Sequence, residues 1–341
     1  MWVTKGQDRA VQLMQSALVY NRISHAYLIS GPVNVGKTTF ALDIARALNC
    51  LNDDVSLVPC GICSQCKRIS SMVHTDVFLF DVQSGNTGDR ISSNRVTVDN
   101  LREDFISQVY KKPFEGKVRI FIISGVNHMR VEQANVILKT LEEPPDDTVI
   151  LLLSDQIDGI IETIVSRCQL ITLDYMDTGM IENHIKEFWP DFETYSAREI
   201  ARLSKGLLGW AHNAVTDDTV MIKRDELVDI YELILKHDLD ERLHESSTVV
   251  EKFRTSSTSG KYELDVWMTF WRDILLVKTD RSSEITNISR EDNLKILAAG
   301  LSMDQIIKSI NLISEFGNNM KFNVNLRLIV DNLMLNLPQA S

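Results

Sequence analysis

The chain has no uninterrupted apolar run of about 18 residues, the length a membrane-spanning helix needs. Its first residues, Met1 to Gln7, lack the basic-then-apolar order of a signal peptide. Both absences read as a cytoplasmic protein without a membrane span. Prolines number only seven, and with 44% apolar and 24% charged side chains the composition is that of a soluble globular protein. Positive charge is in short supply: 36 Lys and Arg against 47 Asp and Glu leave a net charge of −11. That argues against a chain that grips nucleic acid alone by a broad basic face. It does not exclude a subunit of a larger assembly that touches DNA through a few groups. Cysteine is also scarce, five in all, and in a cytoplasmic protein these point to metal or reduced thiols rather than disulfides. At 341 residues the chain is long for one core, so two or three domains are expected.

What is present begins with Gly31-Pro32-Val33-Asn34-Val35-Gly36-Lys37-Thr38, which satisfies the phosphate-loop pattern G-x-x-x-x-G-K-[ST]. The apolar run Ala26 to Ile29 before it reads as a strand. Thr39 to Leu48 after it, with Phe40, Ile44, Ala47 and Leu48 on one face, reads as a helix. In that context a glycine turn that merely fits the pattern is the weaker reading. The glycines let backbone N–H groups turn toward phosphate oxygens, and the helix N-terminus adds a favourable dipole. Lys37 supplies a positive charge for the β/γ-phosphates and Thr38 a hydroxyl for Mg²⁺. The expected nucleotide-binding residues are Gly31, Val35, Gly36, Lys37, Thr38 and Thr39, with ATP or ADP and Mg²⁺ as ligands.

Cys50, Cys60, Cys63 and Cys66 follow, the last three as C-x-x-C-x-x-C. Four thiolates are the ligand set of a closed tetrahedral zinc site, which would staple an excursion rather than catalyse. An iron–sulfur cluster is less favoured, because the loop is short and nothing nearby indicates redox chemistry. Free thiols are less favoured because four of the five cysteines fall within residues 50–66.

Further strands are read at residues 76–82, 118–123, 149–154 and 169–173, and helices at 8–20, 98–109 and 134–143, the last ended by Pro144-Pro145. Residues 83–95, rich in Ser, Asn, Gly and Asp, read as a surface loop. His25, at a strand edge with no partner motif, reads as structural. Glu142 and Glu143, at a helix C-terminus, read as surface or interface groups. Five apolar strands alternating with helices predict an α/β fold, a doubly wound parallel five-stranded sheet covered on both faces. Beyond about residue 175 the pattern is helical, with short helices to about 219. Longer ones such as 226–236, 262–278 and 303–320 follow, with 255–260 and 279–287 as exposed connections. The expected domains are 1–174, 175–219 and 220–341.

The end of the strand at 118–123 is where an ATPase of this type places its acids, one for Mg²⁺ and one to polarise the attacking water. Ser124 and Gly125 stand there and can carry no charge. His128, a little further on, is a poor substitute for a carboxylate on Mg²⁺.

Several segments together carry a resemblance. They are Ser24-His25-Ala26-Tyr27-Leu28, the four cysteines, the run Leu138-Lys139-Thr140-Leu141-Glu142-Glu143-Pro144-Pro145 and Ser166-Arg167-Cys168. Residues 24–168 resemble the AAA+ clamp-loader family of bacterial DNA polymerase III, the delta-prime subunits in particular. The remainder resembles it only in helical character and length. The resemblance implies an AAA+ module with a small helical lid, followed by an all-α collar that joins subunits in a ring. It also implies zinc on the four cysteines. Arg167 would reach in trans to the ATP of a neighbouring subunit and stabilise transition-state charge; from the residues alone, local pairing at the strand entrance is the preferred role. The implied partners are the ATPase and delta subunits, the sliding clamp and primed DNA. In the lid, Gly209 stands where active relatives place an arginine that senses the γ-phosphate. With Ser124 and Gly125 this implies nucleotide binding without competent hydrolysis. An ATP-hydrolysing subunit or another active AAA+ enzyme is the alternative, favoured by the intact Lys37 and Thr38. A zinc-dependent nucleic-acid-binding protein is disfavoured by the acidic charge and the lack of basic–aromatic clusters.

Overall fold

The computed structural model describes residues 1–82, 95–97, 105–192, 195–255, 257–319 and 326–339. The chain divides into two compact units, one of residues 1–181 and 206–210 and the other of residues 182–205 and 211–341.

The first unit is built on strands β1 (Ala26–Ser30), β2 (Val77–Asp81), β3 (Arg95–Thr97), β4 (Arg119–Ser124), β5 (Thr148–Ser154) and β6 (Gln169–Thr172). All pair in parallel, in the order β3-β2-β4-β5-β1-β6. The five expected strands are all present, and the doubly wound α/β class stands. The sixth, β3, is the difference: Arg95 belongs to a three-residue strand rather than a loop. Three residues are too few to show a period-2 pattern. The rest of the loop reading (83–94) and the start of the 98–109 helix (98–104) lie outside the described residues. The described part of that helix is Ile106–Val109.

The strand runs read as continuously apolar because both faces are covered. The first five described helices are α1 (Asp8–Val19), α2 (Lys37–Asn49), α3 (Ser64–Ser70), α4 (Ile106–Val109) and α5 (Val131–Glu142). Tyr27, Ile29, Ile120, Ile122, Leu151 and Leu153 pack with Phe40 and Ile44 of α2. The alternate set, Leu28, Phe121, Ile123, Ile150 and Leu152, packs with Ile137 and Leu141 of α5. Period-2 alternation sends neighbours to opposite faces, and in the inner strands β1, β4 and β5 both faces are covered. All seven residues of β5 are buried. Register brings the strand ends level: Ser30 of β1 pairs with Ser154 of β5, and Ser124 of β4 with Leu153. The residues that follow β1, β4 and β5 therefore emerge at one edge of the sheet.

At the opposite ends of the strands, Asp76 is buried and binds the backbone N–H groups of Phe114, Glu115 and Gly116 at 2.8–2.9 Å and Arg119 Nε at 3.2 Å. It ties the entrance of β2 to that of β4.

The second unit is helical. Its centre is the helix Ser257–Lys278, whose Trp267, Phe270, Trp271 and Ile274 recur at helical spacing and are all buried. They share a core with Val228, Ile234, Leu294, Ile306, Phe316 and Leu333. Two expectations are corrected here. The polar run is helical where it is described: Thr255 closes the helix Leu239–Thr255, and Ser257 to Gly260 open the next one. Intrinsic propensity is a weak prior beside packing. Residues 285–287 are buried rather than exposed, because the carboxylate of Asp273 accepts the backbone N–H groups of Thr286 and Asn287 at 2.8 and 2.7 Å. No single helix among the described residues is long and apolar enough to cross a membrane.

Candidate nucleotide and metal sites

The phosphate loop leaves β1 at the C-terminal edge of the sheet, as its sequence context implies. Gly31 N–H donates to the Ser154 carbonyl at 3.1 Å. A Cβ at Gly31 would lie 2.5 Å from the Leu173 carbonyl oxygen, so the backbone passes where only glycine fits. Gly36, with φ of 105°, turns the chain into α2, and Val35 is buried beneath the turn. The helix has no side-chain cap. Its first N–H groups, which an α-helix leaves without internal partners, face the loop's concavity, and Thr38 and Thr39 are exposed beside it.

Lys37 Nζ donates to the carbonyls of Gly31 and Pro32 at 2.7 and 2.8 Å and pairs with Asp155 Oδ1 at 2.8 Å. Asp155, one residue past β5, is the residue at this candidate site that sequence reading missed. An acidic side chain two residues past the apolar run Val149 to Leu153 was the available signal. The backbone there is pinned. The Ser154 hydroxyl sits between Asn127 Oδ1 (3.0 Å) and the Gln156 carbonyl (2.5 Å), and Asp155 N–H also points to Asn127 Oδ1 at 3.4 Å.

Ser124 and Gly125 lie at the tip of β4, where the acids of an active site would be. The Ser124 hydroxyl is spent on the Phe80 carbonyl at 3.2 Å, and Gly125 has φ of 73°. Asp81 is level with Ser124 on the next strand outward, separated from β1 by β4 and β5. Gly209 approaches the loop from the other side, its N–H donating to the Asn34 carbonyl at 2.9 Å. A Cβ there would lie 2.7 Å from the same oxygen. Any larger side chain, an arginine included, would have to displace the loop or the helix.

Arg167 is about one-third exposed, donates to the Thr163 carbonyl at 3.1 Å and pairs with Glu142 Oε1 at 3.0 Å. Thr163 is a local partner, four residues back, whereas Glu142 comes from the end of α5. Cys168, next to Arg167, is half-buried, and that desolvation pushes its thiol up to about 12.

The four cysteines converge: their sulfurs all lie within 4.8 Å of one another, close to the spacing of about 3.8 Å expected around a tetrahedral zinc with ~2.3 Å bonds. Cys50 ends α2, Cys63 caps the helix Ser64–Ser70, and Cys66 lies in its first turn. Backbone N–H groups aim at the sulfurs: Cys60 N at Cys50, Cys63 N at Cys60 and Cys66 N at Cys63, each at 3.4 Å. The N–H groups of Cys63 and Ile62 draw the Cys60 thiol down to about 6, while burial pushes Cys66 up to about 12. Four sulfurs with N–H donors behind them suit a closed thiophilic site, and the cluster could hold zinc.

A parallel sheet with helices on both faces and a phosphate loop after its inner strand β1 make the first unit a doubly wound α/β module of the phosphate-loop class, and the chain carries a separate helical unit. Residues 6–177, just over half of the chain, match the family described as DNA polymerase III, delta subunit. The chain belongs to that family, one of clamp-loader proteins. It is similar to the DNA polymerase III subunit delta' of Bacillus subtilis (strain 168), at 27% identity over 337 residues, 98% of this chain and 97% of that one. It is also similar to the DNA polymerase III subunit tau of the same organism, at 26% over 355 aligned residues, 98% of this chain and 61% of that one. With the DNA polymerase III subunit gamma of Buchnera aphidicola subsp. Acyrthosiphon pisum (strain APS) it shares 31% identity over 212 residues, 61% of this chain and 55% of that one.

Proposed function

We propose that this chain is a subunit of the sliding-clamp loader of a DNA polymerase III holoenzyme, working in a hetero-oligomeric ring with ATPase and delta subunits. It supports ATP-driven loading of the clamp on primed DNA. It binds nucleotide without hydrolysing it, and its Arg167 serves the ATP of a neighbouring subunit. Residues 175–219 act as the lid and 220–341 as the collar, and zinc on Cys50, Cys60, Cys63 and Cys66 staples the excursion after α2.

The observation that carries the non-hydrolysing reading is the tip of β4. Ser124 and Gly125 supply neither a carboxylate for Mg²⁺ nor a base for water, and the carboxylate that meets the phosphate loop, Asp155, is engaged by Lys37. Positioning and electrostatics are nearly all of phosphoryl-transfer catalysis, so losing both acids costs several orders of magnitude in rate. Arg167 is about one-third exposed and, among the described residues, is held by one carbonyl and one exposed carboxylate, so it is available to a partner at small cost. An active ATPase is the second reading, favoured by Lys37 and Thr38.

ATP turnover by the reconstituted loader, with clamp and primed DNA, separates the two. On the proposed reading Arg167→Ala lowers turnover by about 10³-fold at the site it serves, and Lys37→Ala changes it little. The reverse pattern would mean that the chain turns over ATP itself.

A further inference from the structure

Lys37 has no donor left. An ammonium carries three N–H groups, and here three acceptors surround it: the carbonyls of Gly31 (2.7 Å) and Pro32 (2.8 Å) and the carboxylate of Asp155 (2.8 Å). The side chain is only 11% exposed, and that of Asp155 is 32% exposed. Parallel register builds the arrangement: Ser30 pairs with Ser154, so Gly31 and Asp155 leave adjacent strands side by side. Asn127 and Ser154 hold the Asp155 backbone there.

A phosphate loop uses its lysine to reach the β- and γ-phosphates. Of the three acceptors, only Asp155 resembles a phosphate oxygen in charge. We propose that Asp155 sets the polyphosphate affinity of this site, its carboxylate holding the position at Lys37 that an oxygen of a nucleoside di- or triphosphate takes. The polyphosphate binds by displacing the carboxylate, and a displaced but ionised Asp155 then stands beside the incoming negative charge. The loop is thus intact yet self-occupied, with its own anion competing against the ligand. This inference rests on the reading of the loop as a nucleotide site.

The test is the Kd of N-methylanthraniloyl-ADP, by fluorescence titration with Mg²⁺, for the 341-residue chain and for Asp155→Asn, Asp155→Ser and Asp155→Asn/Lys37→Ala. Competition by inorganic tripolyphosphate reports the phosphate contribution without the base. Melting curves establish that each variant is folded, and two single variants guard against the loss of one. Both single variants should bind ADP and tripolyphosphate at least tenfold more tightly than the wild type, and Lys37→Ala should remove the gain. Equal or weaker binding by the single variants, with measurable binding by the wild type, overturns the role of Asp155 and leaves the nucleotide site standing. A gain that survives Lys37→Ala overturns it too, since the effect would not pass through the lysine. No binding by any variant overturns both the inference and the nucleotide-site reading.

Discussion

Replacing Asp76 should unfold the sheet-containing unit more easily than almost any other single polar change in it. Its carboxylate is fully buried, and it accepts the N–H groups of Phe114, Glu115 and Gly116 together with Nε of Arg119, itself buried and stacked 5.5 Å from the Phe78 ring. Asp76→Ala strands those donors and leaves a buried guanidinium without its counter-charge. Breaking a buried pair from one side costs about 3–5 kcal/mol, and each orphaned buried donor adds to the loss at about 1–3 kcal/mol where water cannot reach it. A loss of about 4 kcal/mol is therefore expected at pH 7, read as a lowered urea midpoint for this unit by circular dichroism. The pH dependence follows from the same contacts. Burial alone would raise the Asp76 carboxyl, but the N–H groups of Glu115, Gly116 and Phe114 and the Arg119 charge outweigh it and hold the group below the ordinary carboxylate value. A depressed folded-state value contributes stability that is complete above the unfolded-state pKa of about 3.9 and is lost as pH falls through the folded value. The difference between wild type and variant should thus be full at pH 7 and shrink below about pH 4. A difference under about 1 kcal/mol at pH 7, against the 3–5 expected, would refute the assignment of Asp76 as the tie between β2 and β4. So would one that is as large at pH 3 as at pH 7.

Two further outcomes are expected beyond the turnover and nucleotide-affinity experiments above. Purified chain should carry about one zinc, the stoichiometry of a closed four-thiolate site. Elemental analysis should find it lost in Cys50→Ser/Cys66→Ser, and chelation should lower the melting temperature; metal-free chain with an unchanged melt would remove the zinc assignment. Gly209→Ala places a Cβ 2.7 Å from the Asn34 carbonyl oxygen, a backbone atom that cannot swing aside. Overpacking of this kind costs about 1–3 kcal/mol, visible as a lower melting temperature, and the disturbed loop should also weaken ADP binding. A melt within error of wild type would show that the approach of Gly209 to the loop is not tight in solution.

The legible parts of the chain were those whose meaning lies within a few consecutive residues. The phosphate loop could be read because its geometry is local: glycine at 31 and 36, lysine and threonine opening a helix. The cysteines could be read because three of the four sit on one short turn. Five core strands stood out as unbroken apolar runs, the mark of a sheet buried on both faces. The missing acids at Ser124 and Gly125 were visible for the same reason, since a strand end and the residues after it are adjacent in the chain. The short strand Arg95–Thr97 was not legible, because three residues form a strand only when a neighbouring strand pairs with them. Nor was the burial of residues 285–287, which depends on a carboxylate 13 and 14 residues away on another element.

The sequence by itself therefore determined the five core strands, the phosphate-loop pattern and the clustering of four cysteines, since periodicity and contiguous motifs are properties of the chain. Only the tertiary structure decided which distant groups answer them. Lys37 meets Asp155 across 118 residues because β1 and β5 pair in register, Gly209 meets Asn34, and Glu142 meets Arg167. Periodicity tells which face a side chain takes, but the partner on that face is chosen by strand order and packing, which no local pattern encodes.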